Sequence, residues 1–182
     1  MSNYIIIHGT EGYPEETWIP YLKQNLEKEG HTVYVPQLPS PEGQSKEAWC
    51  ATLREKTPTF GKDTVLIGHS CGATCILHIL ESVKEPVKKA ICVSPLIHKI
   101  GIEKYDKLNE TFINHSFDWN KIKNNAKEGL ILHGDNDLYV PLSHPKEVSE
   151  NTNFPLTLIQ NGGHLNATAG FTEFPKLLKL AL

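Results

Sequence analysis

What is scarce in this 182-residue chain narrows the field first. No apolar run approaches the ~20 residues that a membrane span needs. There is no excess of positive charge: 18 Lys and Arg stand against 21 Asp and Glu, a net charge of −3. That balance gives no general reason to bind nucleic acid or an anionic membrane surface. Neither a G-x-G-x-x-G nor a Walker pattern is present, so nucleotide binding has no support. Cysteine occurs only at Cys50, Cys71, Cys75 and Cys92, a spacing that fits neither a disulfide scaffold nor a zinc site. The opening Met1-Ser2-Asn3-Tyr4-Ile5-Ile6-Ile7-His8 lacks the basic and long apolar regions of a secretory leader. It reads as a first strand, and reduced thiols in a cytoplasmic protein are the expectation. No internal repeat or low-complexity segment is visible. A hydrophobic share of 39% with 21% charged residues excludes a disordered chain and a coiled coil.

What is present alternates short apolar runs with helical patterns. The spacing predicts strands at Tyr4–Ile7, Val33–Val35, Thr64–Ile67, Ala90–Val93, Leu130–His133 and Leu156–Ile159. They are rich in Ile, Val and Leu and barely alternate, as strands buried on both faces of a parallel sheet do. Helices are expected over Glu15–Glu29, Ser45–Lys56, Ala73–Val83, Leu142–Glu150 and a C-terminal stretch from Phe174 to Ala181. The alternation implies right-handed crossovers. The expected fold is therefore α/β: one domain over residues 1–182, a three-layer sandwich with a mostly parallel six-stranded sheet and helices on both faces. Two stretches break the rhythm. Pro36-Gln37-Leu38-Pro39-Ser40-Pro41-Glu42-Gly43 follows a strand end, the edge where open α/β sheets bind ligands. Ser94 to about Lys127 has weak patterning and reads either as a small cap or as a long connection with one helix near Asp118–Asn125.

The strongest local signal is Gly68-His69-Ser70-Cys71-Gly72, between the apolar run Thr64–Ile67 and a helical pattern. That is the strand–turn–helix setting of a nucleophile elbow, in which small neighbours let a serine sit in a strained turn with its Oγ above the sheet. The bland alternative is a tight turn where Ser70 only caps the helix. The N–H of Cys71, at the new helix's start, would face a developing oxyanion. A second N–H should come from the loop after the first strand, His8-Gly9-Thr10-Glu11-Gly12, with Thr10 the choice and Glu11 next. Serine needs a base. Of nine histidines, His164 in Asn161-Gly162-Gly163-His164-Leu165-Asn166 is in the right place, after the last strand and before the final helix. An orienting acid should fall between the two in the chain. His133-Gly134-Asp135-Asn136-Asp137 offers Asp135 and Asp137, and spacing leaves both open with Asp137 favoured. Cys71 could supply an alternative thiol. His8, His69 and His133 lie near strand ends and would hold a metal only if they converged. Trp18, Leu38, Leu96 and Ile97 are equally candidates for pocket lining and for plain core.

These motifs resemble the α/β-hydrolase superfamily, and more narrowly its small serine hydrolases, the bacterial YdeN-like and retinoblastoma-binding-protein-type family. The elbow, the Asp135–Pro141 segment and Gly163-His164-Leu165-Asn166 carry the likeness. The opening His8-Gly9-Thr10 with Trp18, the Asp118–Lys123 run and Gly170-Phe171 are similar to the YdeN-like members. The resemblance spans nearly the whole chain and implies a reduced α/β-hydrolase fold with a minimal cap. It implies Ser70 as nucleophile, His164 as base and Asp137, three residues before Val140-Pro141, as the acid. Cysteine at 71 and leucine at 138 depart from the family's usual leucine and proline, without removing a catalytic function. The implied activity is hydrolysis of a small acyl ester through an acyl-enzyme, with no cofactor and no metal. A thioesterase or amidase would share the chemistry. The rival of another class is a hydrolase-shaped protein that works by binding a protein partner.

Overall fold

The computed structural model describes residues 1–182. Six strands form one sheet: β1 (Asn3–Ile7), β2 (Thr32–Tyr34), β3 (Thr64–His69), β4 (Val87–Val93), β5 (Ala126–Gly134) and β6 (Leu156–Ile159). Their spatial order is β2-β1-β3-β4-β5-β6, and every neighbouring pair is parallel. The mostly parallel sheet expected from the sequence is thus wholly parallel.

Alternation along the strands divides the core in two. Ile5, Ile7, Leu66, Ala90, Cys92 and Ile131 face one side, packed under α2 (Lys46–Lys56), α3 (Cys71–Ser82) and α7 (Ser143–Thr152). Tyr4, Ile6, Val65, Ile67, Ile91 and Leu132 face the other, covered by α1 (Ile19–Lys28) and α8 (Pro175–Ala181). Both sides of β1, β3, β4 and the end of β5 are therefore buried, which is why those strands show apolar runs rather than alternation, while the edge strands β2 and β6 are only partly covered. The first ten residues of α3 are all buried, because this helix lies between the sheet and the α2 and cap layers.

Several boundaries differ from expectation for local reasons. The first helix begins at Ile19, not near Glu15, because Thr17 takes a positive φ of 52° and Pro20 marks the first turn. Strands β4 and β5 start earlier than their apolar runs, and their polar openings serve the ladder and its flanks. Lys89 Nζ, for example, reaches the Leu180 carbonyl at 3.0 Å and Glu128 at 3.2 Å. The weakly patterned stretch holds three short helices, α4 (Glu103–Leu108), α5 (Glu110–Ile113) and α6 (Trp119–Asn124). Only α6 had a readable start, with Asp118 accepting from the Lys121 N–H at 3.1 Å. The helix α4 buries no residue, so it carries no periodic signal. No helix is long and apolar enough to cross a membrane.

Candidate active site

Ser70 stands between the end of β3 and the first residue of α3 with φ 55° and ψ −121°. This is a strained backbone for a residue with a side chain, and its surroundings hold it there. The Ser70 N–H donates to the Val93 carbonyl at 2.8 Å. A Cβ on Gly68 would lie 2.6 Å from the Ala73 nitrogen, and one on Gly72 would lie 2.5 Å from the His8 carbonyl oxygen. Side chains there would push α3 away from β3 and β1 and open the turn. Ser70 is not a side-chain cap for the helix.

The second cluster of expected residues meets across the ends of β5 and β6. Asp137 Oδ2 accepts from His164 Nδ1 at 2.7 Å. The other carboxylate oxygen, Oδ1, accepts from the N–H groups of Tyr139 at 2.8 Å and Val140 at 3.0 Å. Burial pushes this carboxyl up, but the hydrogen bond and charge of His164, with the two N–H donors, hold it below the usual carboxylate value. Asp135 does different work: its Oδ1 accepts from the Asn161 N–H at 2.8 Å and closes the turn. Asn136 likewise accepts from the Gly163 N–H at 2.7 Å. The two turns that carry Asp137 and His164 are thereby tied together. Ser70 and His164 line one cleft of about 280 Å³, with no hydrogen bond between the hydroxyl and the ring.

The loop after β1 closes on Ser70: a Cβ on Gly9 would sit 3.2 Å from that of Ser70. The Glu11 N–H is engaged by Ser40 Oγ at 2.5 Å, which leaves Thr10 as the candidate donor of this loop. The Thr10 hydroxyl donates to Asn109 Oδ1, and Gln44 Nε2 donates to both, at 3.1 and 2.9 Å. Cys71 opens α3 beside Ser70, but its thiol is fully buried and burial pushes it well up, so it is no rival nucleophile.

The three strand-end histidines do not converge on one point. His8 donates from Nδ1 to the Gly9 carbonyl at 2.8 Å and accepts the Leu38 N–H on Nε2 at 3.0 Å, a pairing that only the neutral ring satisfies. Burial lowers its pKa accordingly. His69 donates from Nε2 to the His164 carbonyl at 2.9 Å, and burial and the His164 charge drive its pKa down to about 3. His133 donates to the Val140 carbonyl at 3.1 Å behind Asp137. Each fixes a loop of the site. Of the four loop residues weighed as lining, Leu96 borders the cleft, whereas Trp18, Leu38 and Ile97 are buried core.

Sequence reasoning missed Asn109, Gln44, Glu16 and Tyr139. Asn109 sits in the unpatterned cap segment and gave no signal. Gln44 follows the proline-rich loop already placed at the ligand edge. Glu16 borders the cleft, and burial pushes its carboxyl up to about 7 against the opposing pull of the Gly9 backbone and the His164 charge. Tyr139 lies 5.2 Å ring to ring from His164.

Comparison with known proteins agrees with this architecture. A family profile described as serine hydrolase matches residues 4–181. The hydrolase YdeN of Bacillus subtilis (strain 168) is 31% identical over 172 residues, covering 93% of this chain and 89% of its own. Serine hydrolase RBBP9 of Rattus norvegicus is 24% identical, covering 97% of this chain and 91% of its own. The crystal structure of the ydeN gene product from B. subtilis superposes with a TM-score of 0.90 at 28% identity, covering 99% of this chain and 96% of that one. With the fold and a match over almost its full length in agreement, the chain belongs to the serine hydrolase family.

Proposed function

We propose that the chain hydrolyses small carboxylic esters through an acyl-enzyme, with Ser70 as nucleophile, His164 as base and Asp137 as the orienting acid. The observation that carries this reading is the 2.7 Å bond from His164 Nδ1 to Asp137, in a ring that shares its cleft with Ser70. The bond fixes Nδ1 as the protonated nitrogen and leaves the Nε2 lone pair free for the serine proton. His164 accepts that proton as Oγ bonds to the acyl carbon. The carbonyl electrons move onto oxygen, where the N–H groups of Cys71 and Thr10 receive them. Collapse expels the alcohol, which takes the proton back from His164. Water then repeats the sequence on the acyl-serine, and the acid product leaves.

A cleft of about 280 Å³ lies at the small end of ligand sites, which favours short acyl groups. The reading is tested with a fluorophosphonate probe on the native protein and on Ser70→Ala, read by intact mass. One adduct on the native chain and none on the variant supports it, and p-nitrophenyl acetate, butyrate and octanoate then rank the acyl length. A folded native protein that takes no adduct refutes it and leaves partner binding as the function to pursue.

A further inference from the structure

Away from the cleft, three potential metal ligands meet where α3 packs against the cap segment. His78 and Glu81 project from one face of α3 at i and i+3, and His115 comes from the turn between α5 and α6. Their nearest ligand atoms all lie within 4.8 Å of one another. His78 Nδ1 is 3.5 Å and His115 Nε2 2.8 Å from the same oxygen, Glu81 Oε2.

The orientation of each group is set from behind. His78 Nε2 lies 2.8 Å from the Phe112 carbonyl, and a carbonyl only accepts, so the ring hydrogen is on Nε2. A neutral His78 therefore turns the lone pair of Nδ1 toward the carboxylate, two acceptors face to face. Glu81 Oε1 is occupied by the Asp118 N–H at 2.6 Å, which aims Oε2 at the two rings. Phe117 packs on both rings, at 4.9 and 5.1 Å. A histidine anchored through its far nitrogen to a backbone carbonyl, and a carboxylate held by a second donor, are what metal ligands ordinarily show. The one nearby fixed cation that bears on His78 is Lys46, whose Nζ is itself paired with Glu47 at 3.4 Å.

We propose that His78 Nδ1, Glu81 Oε2 and His115 Nε2 form a binding site for a divalent cation of the zinc class, which clips the cap segment to α3. Two imidazoles and one carboxylate suit Zn²⁺, with bonds of about 2.0–2.2 Å and water in the fourth position. Tetrahedral ligands at those bond lengths are about 3.3–3.6 Å apart. The His78–Glu81 distance already fits, and the His115–Glu81 distance has to open by about half an ångström. The cation replaces the hydrogen between His115 Nε2 and Glu81, and that ring carries its hydrogen on Nδ1 instead. The site sits in the last turns of α3, where the helix dipole favours positive charge. His78 and His115 are 5% and 31% exposed at their side chains, so the site is half-sheltered and reachable from solvent.

The test is titration of the chelator-treated full-length protein with ZnCl₂ by calorimetry, with thermal unfolding recorded alongside. Parallel titrations use His115→Ala, Glu81→Gln and His164→Ala. The expected result is one equivalent bound at micromolar affinity and a rise in melting temperature. Binding and rise should vanish in His115→Ala and Glu81→Gln and persist in His164→Ala. Visible d–d absorption of added Co²⁺, lost in the same two variants, reports the ligand set without reference to stability. His115→Ala should keep native ester hydrolysis, because this cluster lies outside the cleft. Absence of stoichiometric Zn²⁺ binding overturns the proposal. So does binding that survives both cluster variants, or that is lost only in His164→Ala, which would place the metal in the cleft.

Discussion

Replacing Asp137 by Asn isolates the step on which the proposed chemistry turns. The substitution keeps shape and volume, so its effect depends on which way the new amide points. Asp137 Oδ1 now accepts two N–H groups, from Tyr139 and Val140, while Oδ2 faces His164. In the variant, the amide oxygen must stay with the two N–H donors, because the alternative sets NH₂ against both of them and takes away their acceptor. The NH₂ group then points at His164 Nδ1, which has to become an acceptor. The ring hydrogen moves to Nε2, the position that should take the serine proton. The expected loss in kcat is about 10⁴, or roughly 5.5 kcal/mol of barrier, with KM little changed. Hydrolysis of p-nitrophenyl acetate and the rate of fluorophosphonate labelling should fall together. The control is Asp135→Asn, whose amide oxygen can still accept the Asn161 N–H, so its kcat should stay within a fewfold of native. A folded Asp137→Asn protein within tenfold of native activity would refute the tautomer argument. An Asp135→Asn defect larger than that of Asp137→Asn would reassign the acid.

Ser70→Ala should lose on the order of 10⁶ in kcat while still binding product-like acids, measured by turnover and by calorimetry. Gly72→Ala forces a methyl group against the His8 carbonyl, so denaturant unfolding should show a loss of about 1–3 kcal/mol, with activity falling as the elbow shifts. The raised Glu16 carboxyl means that the folded state holds its proton up to about pH 7, while the unfolded chain releases it near 4.5. Glu16 therefore costs stability that grows as pH rises from 4.5 to 7. Glu16→Gln should melt higher than native at pH 8, and the gap should close by pH 4.5; a constant gap would refute the assignment. His69 acts with the opposite sign. Its ring stays neutral in the fold down to about pH 3, whereas the unfolded chain protonates below its ordinary value of 6.5, so stability falls as pH drops through that window. A difference in melting temperature between native and His69→Gln that stays flat from pH 6.5 to 4 would contradict it.

Much of this site could be read from residues whose function constrains their immediate neighbours. The elbow is legible because a strained serine needs glycines beside it, and those glycines follow an apolar strand. His164 and the acid pair were found through chain order, since the topology brings the ends of β3, β5 and β6 to one edge. Asp135 and Asp137 could not be separated by spacing, because the difference is which backbone N–H groups each carboxylate meets. The resemblance favoured Asp137, and that is the acid on which His164 falls. Asn109 and Gln44 escaped notice for another reason. Their work depends on contacts 99 and 34 residues away along the chain from Thr10, which no local pattern records. The early openings of β4 and β5 were missed because lysine and glutamate at 88, 89, 127 and 128 break the apolar run, while the ladder between the two strands extends through Lys89 and Glu128.

The unequal covering of the two sheet faces has a consequence for synthesis. One face is roofed by α2, α3 and the cap helices, all encoded before β6. The other has only α1 and α8, and α8 follows all six strands in the chain, with the Tyr4 hydroxyl donating to the Ala181 carbonyl at 2.8 Å. A chain emerging from the ribosome can therefore close its first layer while Tyr4, Val65, Ile91 and Leu132 still await their cover. The helix α8 leaves the exit tunnel only after all six strands. Until then the nascent sheet presents an apolar, strand-rich face of the kind that chaperones bind and that seeds association between neighbouring chains. Removing the final turn should thus lower the yield of soluble protein far more than it lowers the activity of the molecules that fold.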